Sequence, residues 1–248
     1  MADQKWLCLV LGTVLILGFS SQTQSADSTK PVCKSPTDIV LMLDQSGSMK
    51  EGERVAVVKK AAQEIVKTLA LPTGSSDKPI YRVGVYMYSG AAEQKIVQQM
   101  IDLKDKKTVD DVVKKIGEAN VHHGQTHTDT ALKNVREKML PKGRSDVPNT
   151  VVMIADGQIF KGDSADVKKK AVESLFAEAD KMKKEARIFA MGIGEKLAEF
   201  REQLKKVATQ PSSANYYEVS DWKKVEKEVP SVISATLTCP PAAECKKP

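Results

Sequence analysis

At 248 residues the chain can hold one large domain or two small ones, and with 41% hydrophobic and 28% charged residues it is too apolar for a disordered chain. Aromatics make up only 5%, so any core must be built from Val, Ile, Leu, Ala and Met. The formal charge of +6 comes from lysines scattered along the chain, which reads as solvated helix faces and argues against nucleic acid as a partner.

Lys5 precedes an apolar stretch, Leu7 to Phe19, and then a small, polar run from Ser20 to Ser25. That is the layout of a secretory signal over residues 1–25, with cleavage after Ser25. The stretch is short for a bilayer span, which takes about 20 apolar residues, and no later segment supplies a membrane span. The expected mature chain is secreted, soluble and extracellular. Cys8 leaves with the signal, and Cys33, Cys239 and Cys245 remain in a compartment that favours disulfides. A Cys33–Cys239 bridge would tie the two ends of one domain together, contributing about 5 kcal/mol in the chain-entropy model. Cys245 is then left over, free or available for a disulfide-linked oligomer. A Cys239–Cys245 pair across a short loop is the alternative.

From Asp38 onward, short apolar runs alternate with longer amphipathic ones. Residues 38–43 form a continuous apolar strand of the kind buried on both faces of a parallel sheet. Residues 52–70 place Val55, Val58, Ala62, Ile65 and Leu69 three or four apart, a helix face. Tyr81 to Tyr88 is a strand, and Lys95 to Ile101 a shorter, more polar one expected at an edge. Helices follow at 108–118 and 127–140, then a buried strand at 151–155. A lysine-rich helix over about 164–185 turns Val167, Ala171, Leu175 and Met182 inward. A strand at 188–193, a helix at 196–207, a strand at 216–219 and a helix at 221–236 complete the series. This alternation predicts one doubly wound α/β domain over residues 38–238, with a mainly parallel sheet, one antiparallel edge strand and helices on both faces. Residues 26–37 and 239–248 read as tails.

In such a sheet, ligands bind where strands run out into helices, at their carboxyl ends. The loops there read Asp44-Gln45-Ser46-Gly47-Ser48, Gly124-Gln125-Thr126-His127-Thr128 and Asp156-Gly157. Asp44, Ser46, Ser48, Thr126 and Asp156 offer an all-oxygen set that suits a hard divalent cation such as Mg2+. Hydroxyls approach closely without cancelling the ion's charge, so an outside carboxylate still gains Coulomb energy. Each loop taken alone is better read as helix capping or a turn.

Taken in order, Asp44-x-Ser46-x-Ser48, Thr126 and Asp156-Gly157 resemble the metal-ion-dependent adhesion site of von Willebrand factor A domains. Arg82-Val83-Gly84-Val85 with Tyr88-Ser89, Thr128 with Ala131-Leu132, and Met191-Gly192-Ile193-Gly194 extend the likeness over about residues 38–236. The resemblance implies a six-stranded Rossmann-like sheet and a non-enzymatic adhesion module. It implies that Ser46, Ser48 and Thr126 touch Mg2+ (or Mn2+ or Ca2+), with Asp44 and Asp156 holding it directly or through water. It further implies an extracellular protein partner that donates an Asp or Glu carboxylate, with collagen or another matrix protein as first guess. Asp129 stands where relatives often carry Gly. Together with His122, His123 and Gln125 it is expected at the rim.

Other motifs are weaker. His122, His123 and His127 cluster, but no cysteine lies near them to complete a tetrahedral zinc site. Gly192-Ile193-Gly194 lacks the third glycine of a dinucleotide loop, and no Gly-x-Ser-x-Gly elbow occurs. The rival readings are a matrix component that self-assembles through Cys245 and its charged surface, and a module that binds polyanionic glycosaminoglycans.

Overall fold

The computed structural model describes residues 36–69, 81–90, 99–101, 108–119, 124–156, 164–195 and 197–238. Its centre is a six-stranded sheet in the spatial order β3-β2-β1-β4-β5-β6. The strands are β1 (Thr37–Asp44), β2 (Tyr81–Tyr88), β3 (Gln99–Ile101), β4 (Asn149–Ala155), β5 (Arg187–Ile193) and β6 (Tyr216–Val219). β2, β1, β4, β5 and β6 are mutually parallel, and the three residues of β3 pair antiparallel with β2. The helices are α1 (Arg54–Thr68), α2 (Val109–Glu118), α3 (Thr128–Asn134), α4 (Ala165–Met182), α5 (Leu197–Val207), the short α6 (Ser212–Asn215) and α7 (Trp222–Thr238).

Strand side chains alternate between two cores. Ile39, Leu41 and Leu43 of β1 pack with Val58, Ile65, Val112, Val229 and Ile233 of α1, α2 and α7. Val40 and Met42 face the other way, onto Leu132, Leu175, Met182 and Leu204 of α3, α4 and α5. Each such side chain contributes about 1.5–3 kcal/mol of apolar burial. That is why β1 reads as an unbroken apolar run, with no polar face to give it a period of two.

The inward face of α1 is as expected, with Val55, Val58, Ala62, Ile65 and Leu69 all buried. Gly47–Glu53 forms a tighter 3-10 turn ahead of it, which shortens the predicted helix. The stretch predicted as one helix over 127–140 is α3 followed by a wide turn at Val135–Met139 and a 3-10 turn at Leu140–Lys142. Pro141 cannot donate the helical hydrogen bond and ends the segment. α4 departs most from expectation: Leu175, Ala179 and Met182 are buried, but Val167 is 45% exposed and Ala171 only partly covered. Leu175 and Met182 lie on the expected face, but the first turns of the helix, Ala165 to Lys170, are exposed.

Asp38 is the unexpected core residue. It is fully buried at the start of β1, and Arg144 holds it with its side chain (2.7 and 2.8 Å) and its backbone N–H (2.5 Å). The predicted signal (1–25), Cys33, Cys239 and Cys245 fall outside the described residues. Among the described residues, no helix is long and apolar enough to cross a membrane.

Candidate metal centre

Sheet register sets the site. Asp44 closes β1 opposite Tyr88, and β1 pairs Leu43 with Ile154, so Asp156 leaves β4 just beyond the level of Asp44. The loop after β1 folds back on itself: Asp44 Oδ1 accepts from the Ser46 N–H (2.7 Å), and Ser46 Oγ lies 3.0 Å from Ser48 Oγ. The Gln45 N–H donates to the Tyr88 carbonyl (2.9 Å), fixing the exit of the loop.

Backbone bonds bring the Thr126 loop to the same place. The Gly47 N–H donates to the Gly124 carbonyl (2.7 Å), and the Gly124 N–H donates to Ser89 Oγ (2.6 Å). Gly90 and Gln125 exchange a reciprocal pair of backbone hydrogen bonds. So close an approach requires glycine. A Cβ on Gly124 would run into the Gly90 carbonyl, and one on Gly90 into the His127 ring.

The electrostatics suit a cation. Asp44 and Ser46 are fully buried, Thr126 and Asp156 nearly so, and Ser48 is partly exposed. Burial first, and the Asp156 carboxylate second, push the Asp44 carboxyl up to about 8 against the opposing hydrogen bonds from Ser46. Asp44 Oδ2 is buried and accepts no hydrogen bond. Burial, and then the charge of Asp44, also hold the Tyr88 phenol well above its ordinary range, so it stays neutral; its hydroxyl lies 3.4 Å from Thr128 Oγ1. A buried carboxylate oxygen without a donor, beside a second carboxylate and several hydroxyls, fits a divalent oxygen-seeking ion. No group of three or more His, Cys, Asp or Glu side chains that could hold a metal occurs among the described residues.

The rim residues divide. Gln125 is half-buried in its bridge to Gly90. His127 packs its ring over Gly90 at the start of α3. His122 and His123 lie outside the described residues. Asp129 turns sideways, its Oδ2 accepting from Ser174 Oγ of α4 (2.7 Å) and its Oδ1 from Thr130 Oγ1 (3.3 Å). Ser174→Ala and Asp129→Ala should each cost about 1 kcal/mol. If the two residues serve each other, thermal unfolding of the double variant will show less than the sum of the single losses.

One contact was invisible in the sequence. Arg54 Nη1 donates to the Ser48 carbonyl (3.2 Å), while its guanidinium sits 5.0 Å from the Trp222 ring centroid at the start of α7. The loop after β1 is thereby braced against α7. Gly194, at φ +98°, leaves room for that indole.

Fold and loop geometry together define a domain class, and the family comparison agrees. The chain belongs to the von Willebrand factor type A domain family, whose model matches residues 38–230. It is 30% identical over 161 residues to von Willebrand factor A domain-containing protein 2 of Xenopus laevis, a match spanning 64% of this chain and 19% of that protein. Proximal thread matrix protein 1 from the mussel byssus, in a structure described with a zinc-occupied MIDAS motif, superposes with a TM-score of 0.65 at 23% identity. That match covers 82% of this chain and 49% of the other. The manganese-loaded TRAP protein of Plasmodium vivax gives a TM-score of 0.58 at 20% identity, covering 83% and 75%. At these identities the structures testify to the fold, and the chain spans about half of the mussel protein or less of the frog one.

Proposed function

We propose that this chain is a secreted, non-enzymatic adhesion module that binds an extracellular protein through a divalent cation. Asp44, Ser46, Ser48, Thr126 and Asp156 hold Mg2+ in this reading, with Mn2+ and Ca2+ as substitutes. The observation that carries it is the buried Asp44 carboxylate, one oxygen without a hydrogen bond, facing Asp156 at the carboxyl edge of the sheet. The bound ion supplies an open coordination position for an outside carboxylate. The protein sets neutral hydroxyls closest to the ion and balances its charge with two aspartates, so that the incoming Asp or Glu gains Coulomb energy from its direct contact with the cation. Collagen or another matrix protein is the first partner to test. The adhesion and matrix proteins among the structural relatives are consistent with this.

The Cys33–Cys239 clasp belongs to the same proposal. Thr37 and Leu237 line one cavity of about 590 Å3, so the described chain begins and ends at one place. Cys33 precedes the first by four residues and Cys239 follows the second by two. Similarity to a byssal matrix protein favours, as a second reading, self-assembly through Cys245.

Mature protein should bind immobilised collagen or native matrix in Mg2+, lose that binding in EDTA and regain it on adding Mg2+ or Mn2+. Association that ignores EDTA but disappears under reducing agent would favour self-assembly instead. Steep salt dependence without metal dependence would favour a glycan.

A further inference from the structure

Among the described residues, α4 outruns the body it packs on. Asp129, the second residue of α3, meets Ser174 (2.7 Å), and Arg136, in the wide turn that continues α3, reaches Glu178 (3.3 Å) and Glu185 just past α4 (3.7 Å), so the two helices run side by side in one direction. The start of α3 stands roughly level with the strand ends, because Thr128 meets the hydroxyl of Tyr88, the register partner of Asp44. α4 begins at Ala165, nine residues before Ser174, so about 13 Å of helix rises past that level on the side of Asp44 and Asp156. Every residue from Ser164 to Lys170 is exposed.

Helical phase sorts the overhang. Lys168 stands seven residues before Leu175 and fourteen before Met182, both fully buried, and so continues the stripe that faces the sheet. Val167 stands seven before Ser174 and continues the stripe that faces α3. Beyond the end of the described body, helical phase turns these two positions toward the carboxyl edge of the sheet. Asp166, Lys169, Lys170 and Glu173 point outward.

We propose that this overhang is a second contact surface for the ligand, with Val167 taking an apolar side chain and Lys168 a second carboxylate of an acidic polypeptide whose first carboxylate goes to the metal. The proposal rests on the adhesion reading above. The rise of the helix sets the spacing: Lys168 stands about 9 Å above Ser174, a distance that an extended peptide covers in about three residues. A polypeptide fits better than a sulfated glycan. Lys168, Lys169 and Lys170 are consecutive, so the helix spreads them about 100° apart and leaves only Lys168 on the inward face, with Asp166 and Glu173 flanking the run and an exposed valine beside the inward lysine.

The test uses two bead-tethered peptides, one with a single glutamate and one with valine and a second glutamate placed within the next three residues. Wild-type protein in Mg2+ should favour the second peptide by about five- to tenfold, as expected of a few partly screened contacts. Lys168→Glu and Val167→Asp should each reduce that preference while leaving binding of the first peptide and the Mg2+-induced rise in Tm unchanged. Both positions are exposed, so folding is not at risk. Metal-dependent binding that prefers neither peptide, or a preference that survives both substitutions, overturns the α4 proposal alone. Binding that is equal in EDTA and in Asp44→Ala overturns the adhesion reading beneath it. A heparin oligosaccharide that binds in EDTA and is lost with Lys168→Glu would assign the helix to glycans and also overturn the proposal.

Discussion

Asp44→Asn should abolish metal-dependent adhesion and, at the same time, stabilise the metal-free protein at neutral pH. The Asp44 carboxyl titrates near 8 in the folded state, against an ordinary value of 3.8. Between those values the folded chain keeps a proton that the unfolded chain has released. The stability from this group is therefore fully present below about pH 4 and is lost as the pH rises toward 8. In EDTA, wild-type Tm should fall over that window, and the asparagine variant should show a much flatter profile. Metal reverses the balance. Binding must displace the Asp44 proton, so Mg2+ affinity should rise with pH and level off above about 8. At a Mg2+ concentration a hundredfold above Kd, wild type gains about 2.7 kcal/mol by mass action, a gain absent from the variant. A wild-type Tm in EDTA that does not fall between pH 5 and 8 would refute this electrostatic picture of the site.

Arg144→Ala should be among the most damaging single substitutions in the domain. It strips the charged partner from Asp38, which has no access to solvent. Removing one member of a buried pair typically costs about 3–5 kcal/mol, because the remaining charge stays desolvated. A domain of this size loses about 2–4 °C of Tm per kcal/mol, so the expected drop is on the order of 10 °C. Asp38 is the second residue of β1 and Asp44 its last, a separation of about 20 Å along the strand. Mg2+ affinity at a temperature where the variant is folded should therefore match wild type. A joint replacement of Asp38 and Arg144 by apolar residues should recover much of the loss.

Much of this was legible in sequence because the fold writes itself in period. Buried parallel strands show as apolar runs, as at 38–43 and 151–155, and α1 shows its inward stripe. Once strands and helices alternate, the carboxyl ends of the strands are defined, and only a few loops need reading for Asp44, Ser46, Ser48, Thr126 and Asp156. Period does not carry length against a neighbour. Val167 is exposed because, among the described residues, α4 begins nine residues before the level at which Ser174 meets the start of α3. Long-range polar pairs were hidden for a related reason. Asp38 reads as the polar start of a strand, and nothing near it in sequence names Arg144. The brace from Ser48 through Arg54 to Trp222 depends on α7 returning beside α1. Asp129, expected at the rim from its loop position, has its carboxylate engaged by a helix that the loop does not reveal.

The most direct test of the metal centre is anomalous diffraction from crystals of the mature protein grown with Mn2+. A single strong peak should lie within about 2.0–2.6 Å of hydroxyl oxygens from Ser46, Ser48 and Thr126, with Asp44 and Asp156 as direct or water-bridged neighbours, since hard cations of this class bind oxygen at those distances. The peak should vanish in Asp44→Ala crystals grown under the same conditions. Manganese bound elsewhere, or no peak between Asp44 and Asp156 at saturating Mn2+, would contradict the site.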